Sequence, residues 1–183
     1  MSDQINSNEF WKYAVDIYNN RDIKSQLLTL QNTLDVDVNI VIFCFWFAYK
    51  NVPLHSFADL CAPLIKISDG WQSIIKPIRL CREKLKAQIG KNLVDKVYQD
   101  KARSVRAQIL QNELDLEAFQ ILDMYHLATP IMALKRDILQ LSERKVNAGK
   151  YCLIYCAQRN LILDKVSKNT LNHIIDKVFI DFQ

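Results

Sequence analysis

Glycine and proline are scarce in this chain, which excludes the folds that need many turns. Its 183 residues include three glycines and four prolines, about 2% each against usual values near 7% and 5%. A β-sandwich, a β-barrel or a series of βαβ units needs far more turn residues. No two glycines are close enough for a G-x-G-x-x-G or Walker-type loop, so the sequence lacks these phosphate-binding motifs.

Long apolar runs and a secretory signal are also lacking. The longest apolar run covers residues 40–49, whereas a membrane-spanning helix needs about 20 residues. The first residues are polar, without the basic and apolar regions of a signal peptide. The five cysteines are odd in number and lie in apolar stretches, which favours reduced, buried thiols over a disulfide framework. We therefore predict a cytoplasmic protein with no membrane association.

Positive charge is concentrated in one central part of the chain. Residues 76–106 carry ten basic and three acidic side chains, a net charge of +7. Residues 1–75 have a net charge of −3, and residues 107–183 are balanced. The overall charge of +4 therefore comes entirely from this middle part, which we call the basic segment (residues 76–106).

Apolar residues recur at three- and four-residue steps along most of the chain, which predicts about nine helices in one all-α domain spanning residues 1–183. Breaks are predicted at residues 68–70, at Gly90 and at residues 147–149. The first helix is capped by Ser7 or Asn8, the second by Asp22 and the last by Ser167 or Asn169. After the first predicted helix at about 9–19, the second begins at Asp22. The others span about 40–49, 56–66, 71–88, 92–111, 115–128, 130–145 and 150–161, followed by the last one.

The apolar run at residues 40–49 is ambiguous by itself, because its β-branched and aromatic residues also favour a strand. No second stretch of similar character is available to pair with it. We therefore predict a helix that is apolar on all sides and lies at the centre of a compact helical bundle.

The first half of the chain resembles a family of short bacterial proteins known only as a conserved domain of unknown function. The family's features are a Phe-Trp pair, a Leu-Asp-Val-Asn block, a Cys-x-Trp motif and an Arg-Pro-Leu-Arg segment. The matching residues here are Phe10-Trp11, Leu34-Asp35 with Asp37-Val-Asn39, Cys44-Phe-Trp46, Trp71, and Lys76-Pro-Ile-Arg79 with Arg82. An inserted Val-Asp pair interrupts the second motif, and Lys76 replaces the first arginine of the last. The resemblance covers about residues 8–110; it implies the all-α class and no assigned reaction.

Asp35, Asp37 and Asn39 have the spacing that begins an EF-hand calcium loop. The sixth position is Ile40 instead of glycine, and the twelfth is Trp46 instead of glutamate, so calcium is excluded at this motif. We predict that these side chains cap the buried helix. A functional carboxylate pair is the alternative.

Two further pairs could carry chemistry. Cys152 and Cys156 share one helical face and could form half of a zinc site, but no histidine lies at a recognised ligand spacing. Asp123 could orient His126 as a general base. We favour buried thiols for the first pair and a non-catalytic surface pair for the second, and we predict no metal site, cofactor or catalytic residue.

Aromatic residues of the first half could line a ligand pocket together with polar groups. The candidate pocket residues are Asp35, Asn39, Trp46 and Trp71. At helical spacing aromatic residues more often form the core. An enzyme or a carrier of small ligands with such a pocket is therefore an alternative function.

The basic segment is the strongest candidate for a binding surface. If its two helices pack antiparallel across Gly90, their cations merge into one positive face. The candidate binding residues are Lys76, Arg79, Arg82, Lys86, Lys96, Arg103 and Arg106. We predict a non-catalytic interaction protein that binds an acidic protein; binding of nucleic acid is a second possibility, although Tyr98 alone is placed for base stacking.

Overall fold

Seven α-helices contain most of the residues that can be described. The computed structural model describes residues 8–91, 95–133 and 139–181, and no strand occurs within these ranges. The helices are α1 (Glu9–Asn19), α2 (Arg21–Leu34), α3 (Val38–Tyr49), α4 (Leu54–Lys91), α5 (Lys96–Met132), α6 (Leu141–Gln158) and α7 (Lys165–Asp181). The predicted all-α class is confirmed.

The predicted number of about nine helices is wrong, because adjacent predicted helices are continuous. Residues 68–70 lie inside α4, residues 112–114 inside α5 and residues 147–149 inside α6. A glycine inside a helix costs only about 1 kcal/mol relative to alanine, and tertiary contacts at these places outweigh that cost. Ser68 is buried and binds Asp37, and Ala148 lies in the core.

Several predicted helix ends also need correction. Near Gly90 no correction is needed, because α4 ends at Lys91, one residue beyond the predicted end. The predicted helix over residues 130–145 is instead the end of α5 and the start of α6, with residues 134–138 outside the described ranges.

Two of the predicted capping residues also differ from those in the structure. Asn20 rather than Asp22 caps α2. Asn8 caps α1, whereas Ser7 lies outside the described residues, and α7 begins at Lys165, before either predicted cap.

The predicted central helix is confirmed as α3. Residues 38–48 are all buried, so this helix has no face in water and its apolar composition matches its surroundings. Of the predicted capping residues, only Asp37 caps the first turn, by accepting a hydrogen bond from the backbone N–H of Asn39 at 2.9 Å. Asp35 instead follows α2 as its C-cap, and Asn39 is the second residue of α3. Around α3, the rings of Phe10, Phe43 and Trp46 pack with centroids 4.8–5.5 Å apart.

The long helices α4 and α5 form an antiparallel pair. Contacts between them run in opposite directions along the chain, from Trp71 with Asp123 to Arg82 with Glu113. Helix α4 packs partly against α3, α3 packs against α6, and α2 packs against α7. No helix within the described ranges is long and apolar enough to cross a membrane.

The far end of the α4–α5 pair lies outside the core. The last buried residue of α4 is Ile75 and the first of α5 is Glu113; none of the described side chains between them is buried. We call the described residues 76–91 and 95–112 the basic hairpin, since they include every charged residue of the basic segment. Sixteen residues of helix from Lys76 to Lys91 extend about 24 Å at 1.5 Å per residue.

Gly70 provides a test of the continuous α4. A methyl group added at its Cα would meet no atom within 4 Å, and alanine favours a helix interior more than glycine does. We expect Gly70→Ala to raise the free energy of unfolding by about 0.5–1 kcal/mol, measured by urea denaturation. A helix break at residues 68–70 would instead make the substitution neutral or destabilising.

Candidate functional site

Two arginines and two glutamates form an ion-pair network where the basic hairpin joins the core. Arg79 donates from Nε to Glu113 Oε1 at 2.7 Å and from Nη2 to Glu117 Oε1 at 2.6 Å. Arg82 donates from Nε to the other oxygen of Glu113 at 2.7 Å. Glu113 is only 4% exposed, so α4 supplies two cations to a buried anion of α5.

The two glutamates of this network have opposite protonation preferences. Burial pushes the pKa of Glu113 upward, but hydrogen bonds from Arg82 and Arg79 outweigh burial and hold the pKa below its usual value. Burial also pushes the pKa of Glu117 upward, and there Arg79 does not compensate for burial and for the charges of Glu113 and Asp37, so the pKa is raised. Glu117 is the weakly compensated anion of the pair.

A second network surrounds the Asp37 carboxylate with neutral donors. Ser68 and Gln120 both donate to Asp37 Oδ2, and Gln72 lies 3.4 Å from the same oxygen. Among the described residues no cation pairs with this carboxylate. Asn39 joins the network through a 3.0 Å hydrogen bond from Nδ2 to Gln120 Oε1.

A cleft of about 630 Å³ lies between α1 and α2 on one side and α4 and α5 on the other. Its lining includes Trp11, Tyr18, Arg79 and Glu117. A small cavity of about 30 Å³, with Asp37 in its wall, lies beside the cleft and shares Tyr18, Arg79 and Glu117 with it. The cleft has the size of a small-molecule site.

The predicted pocket residues are only partly brought together. Asp35 and Asn39 line the small cavity, and Asp35 pairs with Lys76 at 2.7 Å. Trp46 is 1% exposed in the aromatic core, and Trp71 donates from its indole N–H to Asp123 at 2.8 Å. Neither tryptophan lines the cleft or the small cavity.

The predicted binding cations divide into two groups. Lys76, Arg79 and Arg82 pair with acidic residues at the base of the hairpin, and Arg103 pairs with Asp100 on its own helix at 2.9 Å. In the described part of the chain, the exposed Lys86 and Lys96 have no ion pair, and Arg106 is half-buried with an unpaired Nε. The exposed lysines without an ion pair therefore lie towards the outer part of the hairpin.

The other predicted pairs do not form sites. Cys152 and Cys156 are buried, and burial raises the pKa of the Cys156 thiol to about 12. No group of three ligands suited to a metal ion occurs in residues 8–91, 95–133 and 139–181. Asp123 accepts a hydrogen bond from Trp71, while the exposed ring of His126 lies beside Tyr125.

The acidic and amide residues that α5 supplies to these networks are not among the residues predicted from sequence. Glu113, Glu117 and Gln120 recur at steps of four and three residues, so they share one helix face. This spacing was the available signal, but it places the residues only on α5. Their partners Arg79, Arg82 and Asp37 are 31 or more residues away and are brought close by tertiary packing.

Comparison with known proteins identifies a family without an assigned activity. No curated protein and no solved structure matches the chain significantly. A family described as "Protein of unknown function (DUF2390)" matches residues 9–124, which is more than half of the chain and includes the central helix, both polar networks and the basic hairpin. The chain therefore belongs to the DUF2390 family.

Proposed function

We propose that the protein is a non-catalytic docking protein whose basic hairpin binds an acidic surface of another protein. The observation that carries this proposal is that the whole positive excess of the chain lies on a hairpin outside the core. Residues 76–112 carry a net charge of +7, and none of their described side chains is buried. A surface with a large net positive charge attracts a negatively charged partner and accelerates association.

Exposed apolar side chains on the hairpin favour a protein partner. Leu80, Val97 and Tyr98 are 55%, 73% and 64% exposed. Apolar and aromatic contacts of this kind form the centre of protein interfaces, with charges around them. Tyr98 is the only aromatic residue in the sequence of residues 76–112, whereas nucleic-acid surfaces stack successive bases on several aromatic side chains, so we favour protein over nucleic acid.

Lysines of the outer hairpin are suited to a test by substitution, because they can be changed without disturbing the fold. Arg79 and Arg82 are unsuited, since they form ion pairs with α5. The exposed lysines Lys84, Lys86, Lys96 and Lys101 have no ion pair in the described part of the chain. We expect changing all four to glutamate to reduce recovery of a specific partner at least tenfold, because the reversed charges repel an acidic surface. A tenfold loss of affinity corresponds to about 1.4 kcal/mol of binding free energy. Affinity purification from the native cell with quantitative mass spectrometry measures this loss.

A matched control changes the net charge equally at another place. Lys12, Lys150, Lys165 and Lys168 are exposed on α1, α6 and α7, and their reversal should leave partner recovery unchanged. A photocrosslinker at Val97 should join the partner to the wild-type hairpin after nuclease treatment. Equal recovery with both quadruple variants would contradict the proposal, and loss of all binding on nuclease treatment would indicate nucleic acid instead.

A further inference from the structure

The cleft beside the ion-pair network combines an apolar wall with a charged inner end. Trp11 and Val15 of α1, Leu28 of α2 and Leu114 of α5 supply apolar surface. Glu117 and Arg79 form part of the inner end, where the cleft meets the small cavity. Small-molecule sites have this composition, with a mainly apolar lining and a few polar groups that orient the ligand.

At this inner end the cationic side chains do not neutralise all of the carboxylates. Glu113 and Glu117 share Arg79, and Arg82 is shared between Glu113 and Glu83. The neighbouring Asp37 is satisfied only by neutral donors in the described part of the chain. Six carboxylates and five cationic side chains line the cleft and the small cavity together. The combined lining therefore has a net charge of −1, and an additional cation is attracted there.

Tyr18 offers an aromatic face at the same place. The ammonium group of Lys24 lies 5.8 Å from the centroid of the Tyr18 ring, within the range of a cation–π contact. Lys24 is exposed and lines the cleft, so its flexible side chain can leave this position. The chain itself thus shows that a cation is accommodated over the ring.

We propose that the cleft binds a small organic cation, an ammonium group attached to an apolar body. The ammonium group lies between the Tyr18 ring and the Glu117 carboxylate, and the apolar body lies against Trp11 and Leu28. Attraction to Glu117 and the cation–π contact act on the same charge. An anionic ligand would instead compete with Glu113 and Glu117 for guanidinium groups that are already paired.

The protonation preferences of the lining groups agree with this charge balance. Burial, followed by the charges of Glu117 and Asp37, raises the pKa of the Tyr18 hydroxyl. Burial and the charges of Glu113 and Asp37 raise the pKa of Glu117 despite Arg79. Burial is the largest cause in both cases, and the neighbouring carboxylates add to it.

Three probes with the same aromatic body test the proposal by isothermal titration calorimetry. Benzyltrimethylammonium is the cationic probe, benzyl alcohol the neutral one and phenylacetate the anionic one. We expect saturable binding of the cationic probe to the full chain, and weaker binding of the other two by at least about tenfold. Equal or tighter binding of phenylacetate would overturn the proposal, as would no saturable binding of benzyltrimethylammonium.

Matched variants locate the bound cation. Glu117→Gln keeps an oxygen for Arg79 and should weaken binding of benzyltrimethylammonium about tenfold. Asp115→Asn is the control and should not weaken binding, because Asp115 is exposed on the same helix and does not line the cleft.

Tyr18→Leu should weaken binding and Tyr18→Phe should preserve it, since only the ring face is required. If Glu117→Gln does not fold, the Tyr18 pair decides. Unchanged binding in Tyr18→Leu, or in a folded Glu117→Gln, would overturn the proposal. The outcome is independent of docking by the basic hairpin.

Discussion

Phe43→Ala should lower the free energy of unfolding by about 4 kcal/mol, the largest single effect that we expect. Phe43 is fully buried in α3 and packs against the rings of Phe47, Phe10 and Trp46, with the centroids of the first two at 4.4 and 4.8 Å. Its removal loses apolar burial and leaves a cavity that this helix cannot close, because α3 is covered on every side. Urea denaturation followed by circular dichroism measures the change.

Leu153→Ala is the matched control for Phe43→Ala. Leu153 is an apolar helical residue of α6 that is about half exposed, so its truncation creates no cavity and should change stability by less than about 1 kcal/mol. Similar losses at the two positions would show that α3 is not the centre of the core.

Glu113→Gln should lower the free energy of unfolding by about 2–3 kcal/mol at neutral pH. This loss is smaller than that for breaking a fully buried ion pair, because Arg79 and Arg82 are partly exposed. The substitution preserves the shape of the side chain but leaves the guanidinium groups of Arg79 and Arg82 without their buried anion. Asp115→Asn is the control, because Asp115 is exposed on the same helix and pairs only with the neutral Gln111 in the described part of the chain. Thermal or urea unfolding compares the two variants.

The pH dependence of this loss distinguishes charge from shape. The folded protein holds the pKa of Glu113 below its ordinary value of 4.5, so the ionised carboxylate stabilises the fold above that pH. This contribution disappears as the pH falls through the lowered pKa, and wild type and Glu113→Gln should then approach equal stability. A difference that stays constant from pH 7 to about pH 3 would show that packing, and not the charge, is responsible.

Local sequence signals were sufficient wherever short-range physics decides the outcome. The residues of α3 are apolar without interruption, so its burial followed from composition. Asn8 and Asp37 cap helices because their side chains reach backbone N–H groups two or three residues away. The scarcity of glycine and proline correctly predicted an all-α protein, and the predicted resemblance to a family of unknown function is confirmed.

Local signals failed where distant residues supply the compensating energy. Ser68-Asp-Gly70 is a turn signal, yet Ser68 and Gln72 both reach Asp37 from a continuous α4. Arg79 belongs to a positive face by sequence, but in the structure it lies between two glutamates of α5. A single sequence shows which residues are charged and does not show which charges become neighbours.

The amino-acid sequence by itself determined the helical class, the buried central helix and the concentration of positive charge in residues 76–106. Only the tertiary structure decided that the basic hairpin lies outside the core, which of its cations are paired, and that a cleft opens beside Glu117. The reason is the range of the interactions concerned. Helix periodicity and capping act within a few residues, whereas the ion pairs from Arg79 and Arg82 to α5 join residues 31 to 38 positions apart and exist only after the helices have packed.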